Sequence, residues 1–496
     1  SLGAYLQDEW RLTRRFTLNY GLRYERINPF TEIRNRLNGF VPNEQSVVMP
    51  NAPTGLVFPG DPGIGAGIAH GDNAYMPRVG FAWDPTGHGV WSIRSSYGVF
   101  FDQFENGAGT ASQVPVSSLP WAQFVSFSGP SLNYVNPYLN TGLPAPNSFV
   151  QPSTVFGIDA SARPPYAQNW NFSIQRSLHG QYLVEVRYVG TKGTHLPRNI
   201  EANPAVYGPG ASAQNADRRR IYANCPPGGG PCQFTTIAML SDITNSTYEA
   251  GQASISRRYA SGLGFNVSYW FSKSLDYLSA MNLSGAAAKS LTGENDLAQN
   301  PFDLAAEHGP SLFDARHRFV ASLSWEPRLA RNAVRPLRLL FDGWQFNLIG
   351  THNSPAPFTV EDSTNVALQA NSPPISGFAA SRPNLIADPN SGPHTVHEWV
   401  SPAAFQRLNP QTQAGQFGNE GRNVVRGPAF TNADLSLTRI FRITEGTRLQ
   451  FRAESFNVAN HPNFGLPVAD LNSPNFGQIF TAAPPRLMQF ALKLMF

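Results

Sequence analysis

Arg486-Leu-Met-Gln-Phe-Ala-Leu-Lys-Leu-Met-Phe496 decides the fold. Its even positions, Met488, Phe490, Leu492, Leu494 and Phe496, are all apolar, whereas the odd positions, Leu487, Gln489, Ala491, Lys493 and Met495, are mixed. A period of two with one oily side is a β-strand whose faces meet different surroundings. The same arithmetic recurs upstream. Phe16, Leu18, Tyr20, Leu22 and Tyr24 alternate with Thr17, Asn19, Gly21, Arg23 and Glu25. Trp91, Ile93, Tyr97 and Val99 alternate with Ser92, Arg94, Ser96 and Gly98; Tyr182, Val184, Val186 and Tyr188 with Leu183, Glu185 and Arg187. Leu263, Phe265, Val267, Tyr269 and Phe271 form another such row, and Trp344, Phe346 and Leu348 a shorter one. Weaker alternation marks 3–12, 76–84, 168–176, 248–258, 317–325, 434–442 and 447–457, giving about thirteen strands. The clearest run nine to eleven residues. Strands of soluble sandwiches are usually shorter, and this length is what a tilted strand needs to cross a bilayer.

Composition narrows the class. Only 14% of the 496 residues are charged, and Gly (43) and Pro (42) are both abundant, a balance that excludes a coiled coil and a charge-rich disordered chain. No stretch approaches the roughly 20 apolar residues of a spanning helix, and the mean hydropathy is −0.27. The net charge of +4 gives no electrostatic case for nucleic acid.

The connections alternate in length. Short ones, at 13–15, 85–90, 177–180, 259–262 and 443–446, are built of turn-formers such as His179-Gly180 and Ala260-Ser-Gly262; a longer one lies at 326–342. Long ones lie at 27–75, 102–167, 190–247, 274–316, 353–433 and 458–485. Transmembrane barrels have this asymmetry, with short periplasmic turns and long external loops. The expected fold is therefore all-β, a transmembrane antiparallel β-barrel with about 13–14 strands present and long extracellular loops. If Phe496 ends on the periplasmic side, thirteen strands also start inward, so parity predicts at least one further strand before Ser1.

Several passages resemble the TonB-dependent outer-membrane receptors, and among them the Oar-like branch with a carboxypeptidase-regulatory-like N-terminal domain. They are Gly3-Ala-Tyr-Leu-Gln-Asp-Glu-Trp10 with Leu18-Asn-Tyr-Gly-Leu-Arg-Tyr24, then Phe313-Asp-Ala-Arg-His-Arg-Phe319, then Phe456-Asn-Val-Ala-Asn-His-Pro-Asn-Phe-Gly465. The resemblance spans essentially the whole chain. It implies a barrel of about 22 strands, of which residues 1–496 would be the C-terminal portion, without the regulatory-like domain, plug, TonB box and first strands. It also implies transport of a scarce or bulky substrate with energy from TonB, which is reached through the plug. Outer-membrane lipid and the barrel-assembly machinery are its other implied partners, with the terminal Phe496 as part of the assembly signal.

Candidate residues follow from patterning. Arg23, Glu25, Arg94, Glu185, Arg187, Arg452 and Glu454 fall on the less oily side of their strands. A charge facing lipid at the midplane costs about 2–4 kcal/mol, so these are expected to face the lumen. Trp121, Phe124, Phe127, Tyr134 and Tyr138 crowd one long loop and are candidate substrate contacts, though a loop packing on its own aromatics reads the same way. Trp10, Trp83, Trp91, Tyr188, Trp270 and Trp325 sit near strand ends, as girdle aromatics do. Cys225 and Cys232 are expected to form a disulfide that staples a short external loop. His394-Thr-Val-His397-Glu398 matches neither zinc-protease order and reads as a solvated loop. Asp217-Arg-Arg-Arg220 reads as a solvated charged turn. No catalytic motif, resident cofactor or metal site is indicated. The alternatives are a passive outer-membrane channel or adhesin barrel, and a soluble secreted glycan-binding β-protein.

Overall fold

The computed structural model describes residues 2–103, 119–121, 148–212, 214–279, 297–327, 342–362 and 381–496. Among them thirteen long strands follow one another: β1 (Leu2–Thr13), β2 (Phe16–Ile27), β3 (Asp72–Trp83), β4 (Trp91–Phe101), β5 (Tyr166–Leu178), β6 (Tyr182–Glu201), β7 (Phe234–Ala260), β8 (Leu263–Asp276), β9 (His317–Trp325), β10 (Trp344–Asn353), β11 (Phe430–Arg442), β12 (Arg448–Phe456) and β13 (Leu487–Met495). Each pairs antiparallel with the next, from Leu2↔Arg26 through to Arg448↔Met495. Strand order therefore equals chain order, and all short turns fall at one end of the wall. Among the described residues β1 pairs only with β2, and β13 only with β12.

The short turns work by backbone sign. Between β7 and β8, Ser261 (φ 52°) and Gly262 (φ 81°) are both left-handed, which a two-residue hairpin matched to strand twist requires. A β-carbon on Gly262 would lie 2.4 Å from the Glu326 carbonyl oxygen, so the site also needs a residue without one.

The tightly packed core lies in the long connections, not in the wall. Phe40, Leu56, Phe58, Val155, Phe234 and Ile237 form one buried cluster, and Phe358, Val360, Val400, Phe405, Val425 and Ala469 another. Strand β7 links the two regimes. Residues 234–242 are buried continuously, beside a parallel strand at Ser153–Ile158, whereas 243–260 have mixed exposure. The change coincides with register irregularities between Ser241 and Ser246, the local break that a bulge provides. By contrast, the apolar row of the wall is open: Leu6 is 79% exposed, Phe490 67% and Leu492 69%. Side chains this oily and this uncovered are suited to hydrocarbon.

Candidate functional site

Register carries one face across the whole wall. Gly21 lies opposite Arg78, Ala82 opposite Arg94, Arg94 opposite Ser173, and Ser173 opposite Arg187. The row continues through Gln252, Trp270 and Arg318. Further along the same face of β9 it passes through Ser324, Asn347 and Ser436 to Glu454 and Gln489. Since opposed residues of an antiparallel pair share a face, Arg23, Glu25, Arg94, Glu185, Arg187, Arg452 and Glu454 are all on this polar side. The other side carries Tyr20, Val79, Tyr97 and Trp170 in one row and pairs Phe451 with Leu492.

Six of the seven neutralise one another within their own strands. Arg23 Nε donates to Glu25 Oε1 at 3.1 Å, Arg187 Nε to Glu185 Oε1 at 2.9 Å, and Arg452 Nη1 stands 3.8 Å from Glu454 Oε1. Residues two apart project from one face of a strand, which brings each pair together. Arg94 has no acidic partner among the described residues.

Trp270 corrects one expectation. It is opposite Gln252 and Arg318 on the polar face, with the Arg318 guanidinium 5.7 Å from its ring centroid, so it is not in the outer girdle. Trp10, Trp83, Trp91, Tyr188 and Trp325 do share the apolar face.

A recess of about 960 Å³ opens on the polar face over β1–β5. Gly21, Gly80 and Gly98 floor it, and Arg23, Arg78, Arg94, Ser96, Asn169 and Asn171 stand around them. A β-carbon on Gly98 would lie 3.0 Å from the Phe100 ring. That missing carbon lets the ring lie over the sheet, with the Arg78 guanidinium 4.7 Å from its centroid.

The long-loop end bears a buried ionic cluster that no local pattern announces. Glu307 accepts from both terminal nitrogens of Arg382 at 3.0 Å, and Arg198 stands 3.7 Å away. Arg422 pairs with Asp276 and donates to the Glu307 carbonyl at 2.9 Å. Asp314 accepts from Arg426 at 3.0 Å and from the Ser274 amide at 2.9 Å, so the acidic residue of the Phe313–Phe319 motif ties three segments together. Burial opposes ionisation of Glu307, but Arg382 and Arg198, with their hydrogen bonds, outweigh it and hold this carboxyl below its ordinary range. Glu420 lacks that support. Burial, opposed by the Val360 amide and Arg382 and reinforced by Glu361, pushes it up to about 8.

Other candidates have definite positions. Cys225 and Cys232 are joined by a disulfide. Trp121 packs edge-on against Phe58, centroids 5.5 Å apart, within the loop core; Phe124, Phe127, Tyr134 and Tyr138 lie outside the described residues. His394 and His397 are exposed, and His394 lies 5.0 Å from the Trp399 ring. Arg220 is not solvated as expected. It is 5% exposed, 3.0 Å from Asp217 and 3.4 Å from Glu201, and it donates to the Asn203 carbonyl at 2.6 Å. Phe496 follows β13 at 99% exposure.

The family model of the outer membrane beta barrel domain matches residues 1–489. This chain belongs to that family. An outer-membrane barrel accounts for the apolar face without a protein cover, and it removes the soluble glycan-binding alternative. Solved structures similar to this barrel include the siderophore receptor PiuA of Acinetobacter baumannii (9% identity, 99% of this chain, 42% of that one, TM-score 0.44). The FrpB iron transporter of Neisseria meningitidis is 11% identical over 99% of this chain and 44% of its own, with a TM-score of 0.44. The outer membrane transporter YddB of Escherichia coli is 10% identical over 99% and 53%, also at 0.44. The barrel thus spans about half or less of each of these chains. No curated protein matches its sequence.

Proposed function

We propose that this barrel is the C-terminal wall of a TonB-dependent receptor, of the Oar-like branch, that moves a scarce or bulky substrate across the outer membrane. The observation that carries the reading is the uninterrupted polar face across thirteen strands beneath a cap of folded long loops. Such a face lines a lumen, and such a cap supplies capture surfaces. Arg23, Glu25, Arg94, Glu185, Arg187, Arg452 and Glu454 then form part of the lumen lining. Energy coupling is supported by the three sequence passages that resemble the receptors. No covalent chemistry is required of the wall.

The experiment is uptake by the native bacterium with its proton gradient intact or dissipated, and with TonB present or deleted. Uptake that stops in both energy-deprived conditions is the expected result. Continued uptake would make the protein a passive channel.

A further inference from the structure

We propose that the outward face of β4–β8, at the end bearing the short turns, is a binding site for an anionic phospholipid with two phosphates, of the diphosphatidylglycerol class. It depends on this face meeting lipid, not on transport or on what fills the lumen. Short turns lie on the periplasmic side of such barrels, so the head groups concerned belong to the inner leaflet. Here Trp91 lies opposite Arg176, Arg176 opposite Val184, and Val184 opposite Ile255; two residues nearer the turns, Tyr182 lies opposite Arg257. All are on the apolar side of the wall. A guanidinium on that side is least costly close to the interface, which is where both stand. Segments 85–93, 175–184 and 255–265 hold three arginines, Arg176, Arg257 and Arg258, and no carboxylate. The neighbouring Glu326 accepts from the Tyr259 hydroxyl at 2.9 Å. Neither Arg176 nor Arg257 has an acidic partner among the described residues.

Their posture suits a phosphate. The Arg176 guanidinium lies 4.7 Å from the Trp91 ring centroid, and that of Arg257 lies 5.6 Å from the Tyr182 centroid. Stacking holds each by its flat face and leaves the N–H edge for the paired hydrogen bonds that phosphate oxygens accept. Arg257 Nη2 also donates to Gln181 Oε1, at a long 3.4 Å. The two arginines stand two strands and two residues apart, which puts their α-carbons roughly 12 Å from each other. Both lean the same way, Arg176 over β4 and Arg257 over β6, so the guanidiniums keep that spacing. Two phosphates joined through one glycerol can each meet one guanidinium, while the acyl chains run along the oily row of Val184, Val186 and Ile255. Val186 and Ile255 are 58% and 37% exposed on that row.

Full-length protein in detergent is titrated with diphosphatidylglycerol, phosphatidylglycerol and phosphatidylcholine, and bound lipid is counted by native mass spectrometry. Saturable binding of diphosphatidylglycerol is expected, weakening as salt rises. Phosphatidylglycerol, with one phosphate, should bind at least about tenfold more weakly, and zwitterionic phosphatidylcholine should not saturate. The pair Arg176→Gln, Arg257→Gln should lose at least about tenfold in affinity for diphosphatidylglycerol. Arg448→Gln, which removes a cation at the same end from the polar face, should bind as wild type does. Heat-modifiable migration on gels checks that each variant is folded. If the paired variant fails this check, Ile255→Glu replaces it: both arginines stay, and Arg257, two residues along the same face, gains a carboxylate in place of the lipid phosphate. Equal affinity for the one-phosphate and two-phosphate lipids, or unchanged affinity in the folded variant, overturns the proposal. Uptake by the native bacterium reads transport separately, so the two failures are distinguishable.

Discussion

Arg382 meets Glu307 end to end: Nη1 lies 3.0 Å from Oε2, and Nη2 lies 3.0 Å from Oε1. Both side chains are almost fully buried, at 6% and 4% exposure, and they sit in different long connections. A two-point contact of this kind fixes orientation as well as distance. It joins the segment after β8 to the segment between β10 and β11.

Removing one partner leaves the other buried and unpaired, which costs roughly 3–5 kcal/mol. Glu307→Gln should therefore loosen the cap, with Arg198 and Arg382 both left uncompensated. Hydrogen exchange should rise by orders of magnitude around 297–310 and 381–426. The amides of β2–β5, remote from the cluster, should keep their protection.

Glu420 gives the cap a pH dependence. Its folded pKa, about 8, exceeds its ordinary value of 4.5, so the stability it contributes is complete below 4.5 and is lost as pH rises towards 8. Glu307 acts with the opposite sign: its depressed pKa contributes stability above its ordinary value that is lost on acidification. The opening constants of the amides in residues 356–362 and 418–426, with exchange corrected for its intrinsic base catalysis, should therefore increase from pH 5 to pH 8 in the wild type. Glu420→Gln keeps an oxygen for the Val360 amide and should flatten that increase. An unchanged pH profile in the variant would refute this role.

The two faces of the wall should answer oppositely to a new charge. Val186 is 58% exposed on the apolar side, and Gln252 is on the polar side of the adjoining strand. Val186→Arg should lose about 2–4 kcal/mol when folded in lipid vesicles, and Gln252→Arg little. Urea midpoints in vesicles measure both.

Among the described residues Phe496 has no packing to lose, its side chain being 99% exposed. Phe496→Ser should therefore leave the denaturation midpoint of purified protein unchanged. The amount assembled in the outer membrane should fall several-fold, because the residue would act on the assembly machinery. Equal assembled amounts would remove that role.

Legibility differed between wall and cap for a physical reason. The Gly3–Trp10 and Leu18–Tyr24 passages, and the terminal Leu487–Phe496 run, reveal strands because period-two alternation is a local property. The same parity places Trp270, an even position between Tyr269 and Phe271, on the polar face, although nearness to a strand end by itself points to the girdle. The burial of Arg220 is not legible locally, because nothing within a charge run shows which member lies against Glu201.

By itself, then, the sequence determined the strands, their two faces and the alternation of short and long connections. Only the tertiary structure decided the Arg198–Glu307–Arg382 cluster, the neutral tendency of Glu420 and the recess over Gly21, Gly80 and Gly98. Burial and register bring together groups from separate segments, Glu307 and Arg382 being 75 positions apart. Such meetings depend on how loops pack and strands pair, which no short window of residues encodes.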